Sequence, residues 1–170
     1  MSLLVGPEFG QLFRTFEHTA FRLETLEYYY SANEATALAQ FRAGEDVEMG
    51  WFGNWLSMIR AATAEGRRFT RVRVVSLPLS DYSRFGIFCS GYTGEAGEEI
   101  RYLTREQATD LPNYDYWLFD SRKLVRVHLT DDGHFLGGEV ITDPATVVEH
   151  SYWRDAAWHH AVRRDDFAHS

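Results

Sequence analysis

The run Asp115-Tyr116-Trp117-Leu118-Phe119-Asp120 limits what this chain can fold into more than any other segment. Four consecutive apolar or aromatic residues are closed at each end by an acid. In a strand, successive side chains point to opposite faces, so Asp115, Trp117 and Phe119 share one face, and Tyr116, Leu118 and Asp120 share the other. The aromatic part is expected to be mostly core. At most one of the two acids can join any functional face of the sheet, and Asp120 is the expected one.

The rest of the chain supplies the partners for such a strand. Phe9, Leu12, Phe13 and Phe16 make one helical face from about Pro7 to His18. Ala20 to Tyr29 reads as a strand, and Ser31 to Glu34 has capping-box spacing for a helix ending near Gly44. Trp51 to Glu65 is a helix stopped by Gly66, and Phe69 to Leu77 is a β-branched strand. Asp81 is expected to cap a helix carrying Tyr82, Phe85 and Phe88, with a loop-like segment at Gly91, Gly94 and Gly97. A short strand at Ile100 to Leu103 and a helical turn or two at Arg105 to Asp110 lead into three strands: Tyr116 to Asp120, Lys123 to Thr130 and Phe135 to Thr142. Asp131-Asp132-Gly133 is hairpin chemistry, because glycine takes the positive φ that closes such a turn. Asp143 then caps, and Pro144 starts, a last helix running past Trp158.

This order predicts an α/β fold, with α+β as the alternative: one domain over 1–170 with a central mixed sheet of about six strands, a C-terminal meander and flanking helices. Residues 7–50 read as a helix-strand-helix extension and 51–165 as the sheet-containing core. The 170 residues, 45% hydrophobic and 15% aromatic, suit one core of useful size. A formal charge of -8 argues against a general nucleic-acid binder. Cys89 is the single cysteine, so the chain has no internal disulfide framework. No 18-residue apolar run or signal peptide is apparent, and a cytoplasmic protein with no membrane association is expected.

Basic residues interrupt the apolar strands. Arg71 and Arg73 share one face of their strand, Arg126 and His128 share one face of theirs, and Arg101 lies on the strand between. If the strands adjoin, the four arginines could form an anion-binding site for a phosphate or carboxylate. The alternative is pairing with acids such as Glu24, Glu99, Asp115 or Asp120, since arginine is rarely buried alone. His128, His134 and Glu139 lie on or beside neighbouring hairpin strands, where solvated turn residues are the simpler reading than a metal cluster. His150, His159, His160 and His169 read as surface or interface residues, and Cys89 as a small core residue. The aromatic stock, including Trp51, Trp55, Tyr28 to Tyr30, Trp153 and Trp158, is large enough for some to serve an interface, with a homodimer as one outcome.

The element order from about Trp51 to Ala161 resembles one half of a phospholipase D-like domain. That family's histidine, lysine and aspartate motif falls by spacing on Asn113, Asp115 and Asp120, so the resemblance implies a catalytically silent copy. Across nearly the whole chain, Ala20-Phe21-Arg22-Leu23-Glu24, Arg71-Val72-Arg73-Val74-Val75, Ile100-Arg101-Tyr102-Leu103 and Asp115 to Asp120 resemble an uncharacterised actinobacterial family often encoded beside helix-turn-helix regulators. That resemblance implies a cytoplasmic, bacterial and regulatory context, and no site.

Two function classes follow. The preferred one is a non-catalytic module, associated with transcriptional regulation, that binds a small anionic ligand or a helix-turn-helix regulator, with no cofactor and no metal. The second is a small hydrolase or transferase for a phosphorylated or nucleotide-like substrate, with Asp120 and His128 as the catalytic pair and the arginines as the anion clamp.

Overall fold

A computed structural model describes residues 2–169. Seven strands form one mixed sheet in the order β6-β5-β4-β1-β2-β3-β7. They are β1 Thr19–Glu24, β2 Arg68–Val75, β3 Glu99–Thr104, β4 Asp115–Phe119, β5 Lys123–Leu129, β6 Phe135–Ile141 and β7 Val162–Arg163. The α-helices among the described residues are α1 Gly6–Thr15, α2 Ala35–Arg42, α3 Gly53–Ala64, α4 Asp81–Ala96, α5 Pro144–His160 and α6 Arg164–Ala168. The expected single-domain α/β architecture is therefore observed, with one strand beyond the six predicted. The segment read as an N-terminal extension supplies β1, which lies mid-sheet, parallel to β2 and antiparallel to β4.

The acid-bounded run becomes β4, with all five of its residues buried. Its alternation divides the core as predicted. On one face Trp117 and Phe119 pack with Ala20 and Phe69 beneath Leu12, Phe13 and Phe16, at the end of α1, and Leu56, Ile59 and Ala62 of α3. On the other, Tyr116 and Leu118 pack with Phe21, Leu23, Val72, Val74 and Leu103 beneath Val147 and Ala157 of α5. Parallel β1, β2 and β3 are joined by helical crossovers, as parallel neighbours require.

Several local expectations change. β1 ends at Glu24, because the Thr25 backbone N–H and hydroxyl turn to donate to Asp115 at 2.8 and 2.7 Å. The Ser31 side chain makes no capping bond, and Glu34 instead accepts from the Tyr82 hydroxyl at 2.8 Å. The cap of α4 is Ser80, which accepts from the Ser83 N–H, rather than Asp81. The glycine-rich segment after Phe88 continues α4 through Ala96, since packing outweighs the weak helix propensity of glycine. At Gly91 a Cβ would lie 3.1 Å from a guanidinium nitrogen of Arg164, which itself donates to the Ile87 carbonyl at 3.0 Å. Asp143 and Pro144 begin α5 as predicted, with the Asp143 carboxylate accepting from Thr146 N–H at 3.0 Å.

His150 is buried at 3% exposure, not at the surface. Its Nδ1 lies 2.8 Å from the Thr146 carbonyl and its Nε2 2.8 Å from the Tyr114 hydroxyl. Burial, the largest effect, lowers its pKa and keeps the ring neutral. No helix among the described residues is long and apolar enough to cross a membrane.

The β5–β6 hairpin closes as predicted, with Gly133 at φ +89 and its N–H donating to the Thr130 carbonyl at 3.0 Å. A Cβ at Gly133 would collide with the Tyr28 carbonyl oxygen, while the Gly133 carbonyl accepts from the Tyr30 N–H at 3.0 Å. Gly133→Ala is expected to lower stability by about 2 kcal/mol or more, through both the positive φ and the collision. An unchanged denaturation midpoint would contradict this packing.

Candidate functional site

Strand register gathers charge on the sheet face beneath α3 and α4. Arg22 lies opposite Arg71, and Glu24 opposite Arg73, across the β1–β2 pair. Asp115 of β4 comes to the same face, contrary to the expectation for Asp120. The Arg22 Nη2 donates to Asp115 Oδ2 at 2.8 Å, and the Tyr29 hydroxyl donates to the same oxygen at 2.6 Å. With the two Thr25 donors, the buried carboxylate accepts from four groups. Arg71 spans two acids, at 2.8 Å to Glu24 and 3.1 Å to Glu98. Arg22 and Arg71 also lie over the Trp117 ring at 5.4 and 5.7 Å.

Electrostatics follow from this packing. Burial alone would raise the Glu24 carboxyl, but Arg71, Arg22 and Arg73 outweigh it and bring its pKa down to about 2. Burial pushes Glu34 up, opposed by the hydrogen bond from Tyr82. The Cys89 thiol is pushed up to about 12 by burial and, secondarily, by Glu34, which leaves it protonated and unreactive.

Arg73 is different from its neighbours. It is 7% exposed, has no ion pair among the described residues, stacks over the Tyr29 ring at 4.8 Å, and reaches only the Glu27 carbonyl, at 3.4 Å. Its Nη1 has no hydrogen-bond partner among the described residues. Arg73 lines a half-open cavity of about 270 Å³ whose floor is the sheet. One wall is Phe85, Gly86 and Cys89 of α4, and another is Trp51, Phe52 and Trp55 at the start of α3.

The four arginines predicted as one anion site do not converge. Arg71 and Arg73 reach this cavity, whereas Arg101 pairs in register with Val72, and Arg126 with Tyr116, both on the opposite face. There Arg101 lies 4.0 Å over the Trp158 ring and donates to its carbonyl at 2.8 Å, and Arg126 lies 4.1 Å over Tyr114. Asp120 has φ 55 and accepts from the N–H groups of Glu17, His18 and Thr19 at 2.8, 2.6 and 3.0 Å. It ties the corner between α1 and β1 and lines a separate 180 Å³ depression with Arg122 and Lys123. His128 pairs with Glu139 at 2.8 Å, about five strand residues, roughly 17 Å, from the Asp120 end of the hairpin. Asp120 and His128 thus share no reaction point. His134 instead pairs with Asp132 at 3.0 Å, and among the described residues no group of three histidines, cysteines or acids could hold a metal.

Sequence reading did not select Glu98, Tyr29, Tyr82 or Trp51 as site residues. Glu98 follows the glycine that ends α4, and only the parallel pairing of β2 with β3 brings it to Arg71. Tyr29 and Trp51 were visible as part of the aromatic excess, but no local pattern separates them from core residues.

Fold and site together define a single-domain α/β protein with a charged, aromatic-walled cavity between its mixed sheet and two covering helices. Residues 7–169 match the family described as Domain of unknown function (DUF6879), and the chain belongs to that family. No curated protein matches it.

The depressed Glu24 pKa fixes a sign. Its ionised form is favoured in the folded state, so the stabilisation is complete above its ordinary pKa of 4.5 and is lost as pH falls toward about 2. That loss is expected to amount to roughly 3 kcal/mol. Glu24→Gln should flatten the stability profile between those pH values; an unchanged acid slope would show that Glu24 does not hold the arginines.

Proposed function

We propose that this protein is a non-catalytic binding module of the bacterial cytoplasm, which takes a small acidic ligand in the cavity between the sheet and helices α3 and α4. The observation that carries this reading is Arg73. A guanidinium buried to this degree is normally paired, because an unmatched charge is costly to desolvate. Arg22 and Arg71 follow that rule with Asp115, Glu24 and Glu98, while Arg73, which lines the cavity, makes no ion pair among the described residues and its Nη1 has no hydrogen-bond partner there. A carboxylate or phosphate oxygen supplies the missing acceptor, and charge-assisted bonds to guanidinium are among the stronger kinds. Aromatic walls around a few polar groups are also the usual make-up of small-ligand pockets.

The resemblance to proteins encoded beside helix-turn-helix regulators supports a transcriptional regulator as the recipient of the ligand's signal. Co-purification of the neighbouring regulator with this chain tests that part, and failure to form a complex with or without ligand removes it.

Gly86 separates binding from folding. It lies inside α4 on the cavity wall, and a Cβ there meets nothing within 4 Å. Gly86→Ala should raise stability by about 0.5–1 kcal/mol, the ordinary gain in a helix interior. Gly86→Leu should fill the cavity while the chain still folds. In a thermal-shift panel of small carboxylates and phosphates, acids are expected to stabilise the wild type but neither Gly86→Leu nor Arg73→Met. Equal shifts in all three proteins would place the acid elsewhere.

A further inference from the structure

Helices cover the two faces of the sheet unequally. The first core lies beneath α1, α3 and α4, whereas α5 is the one α-helix among the described residues that packs on the second. On the side of α5 turned away from the sheet stand Val148 and Tyr152, one turn apart. At 68% and 70% exposure they are the two most exposed large hydrophobic side chains among the described residues. Both lie about 160° around the helix from buried His150, and Ala156 follows one turn further along the same crest.

Charge along α5 is arranged so that one end complements the other. Glu149 stands in the second turn, His159 and His160 close the last, and all three are exposed. Glu149 and His160 are about three turns apart and therefore share one flank of the crest. Neither makes an ion pair among the described residues. An imidazole N–H donates to a carboxylate whether the ring is neutral or charged. Within one chain the two groups cannot meet, because about 16 Å of helix separates them. They meet when a second α5 runs antiparallel to the first.

The register follows from the side chains. A two-fold axis midway between Tyr152 and Ala156 sets each Tyr152 ring over the small Ala156 of the other copy. That axis also brings Glu149 level with the other copy's His159 and His160, and the contact occurs twice, as an isologous interface requires. Asp155, the acid this axis places nearest its own counterpart, is already paired with Arg154 at 2.9 Å. Parallel helices would instead set Glu149 against Glu149 in a chain of net charge -8.

We infer that the outer face of α5 is an interface whose occupant is a second copy of this chain. The two helices run antiparallel, with Tyr152 against Ala156 and Glu149 against His159 and His160. One pair of helices is smaller than a standard interface, so the dimer is weak, with a dissociation constant on the order of 10–100 µM. The cavity lies on the other side of the sheet, so this interface does not depend on the ligand proposed above.

Sedimentation velocity of the full chain from about 10 to about 300 µM tests the inference across that range. The wild type is expected to form a dimer whose share grows with concentration. Tyr152→Glu should stay monomeric with an unchanged thermal midpoint, since the side chain it replaces is exposed. Glu149→Lys should weaken association about tenfold, and adding His160→Glu should restore most of it by exchanging the charges. A wild type that stays monomeric at the highest concentration overturns the inference. So does a dimer that Tyr152→Glu leaves intact, because it would lie on another surface. A double variant no more associated than Glu149→Lys alone overturns the antiparallel register.

Discussion

The ion pair between Arg22 and Asp115 is the constraint on which the rest of this structure depends. It joins β1 to β4 across the centre of the sheet, with a contact of 2.8 Å and an Asp115 side chain fully withdrawn from solvent. Losing one partner of such a pair typically costs about 3–5 kcal/mol, because the other is left buried and unmatched. The same carboxylate gathers Thr25 and Tyr29, so it ends β1 and turns the following chain back over the sheet. Tyr29 then carries Arg73 on its ring, and one wall of the cavity is in place.

The second arginine extends this order and the third breaks it. Arg71 is saturated by Glu24 and Glu98, and it sits in a row with Arg22 over Trp117. Arg73 is one strand period further on, where it lines the cavity beneath α4 and feels the charge of Glu24 without a direct ion pair among the described residues. Arg22 and Arg71 each make ion pairs, although Arg22 Nε is left without a hydrogen-bond partner, whereas Arg73 makes none among the described residues; on the proposed reading it is the charge kept for a ligand. Proteins commonly retain such local costs at functional positions.

Much of this was legible in the residues, and the failures have physical causes. The alternation in Asp115 to Asp120 correctly divided the two cores, and Arg71 with Arg73 was correctly placed on one strand face. The hairpin at Gly133 and the Asp143-Pro144 helix start were readable because each depends on local backbone chemistry. What local chemistry cannot supply is strand order. Without it, β1 looked like an extension, Arg101 and Arg126 seemed able to join Arg73, and Asp120 looked like the acid nearest the arginines. The positive φ at Asp120 turns its carboxylate toward the amides of residues 17–19, leaving Asp115 to meet Arg22. Tertiary partners likewise overrode local signals at Ser31, where Tyr82 takes Glu34, and at Gly91, where Arg164 packs against α4.

On the proposed reading, Arg71 holds the structure together while Arg73 is kept for a ligand. Chemical denaturation of Arg71→Met and Arg73→Met, both volume-conserving and apolar, compares the two directly. The expected result is a loss of about 3 kcal/mol or more for Arg71→Met, which leaves Glu24 and Glu98 unmatched, and a change within about 1 kcal/mol for Arg73→Met. Equal and large losses in the two variants would show instead that Arg73 is another structural charge, not one kept for a ligand.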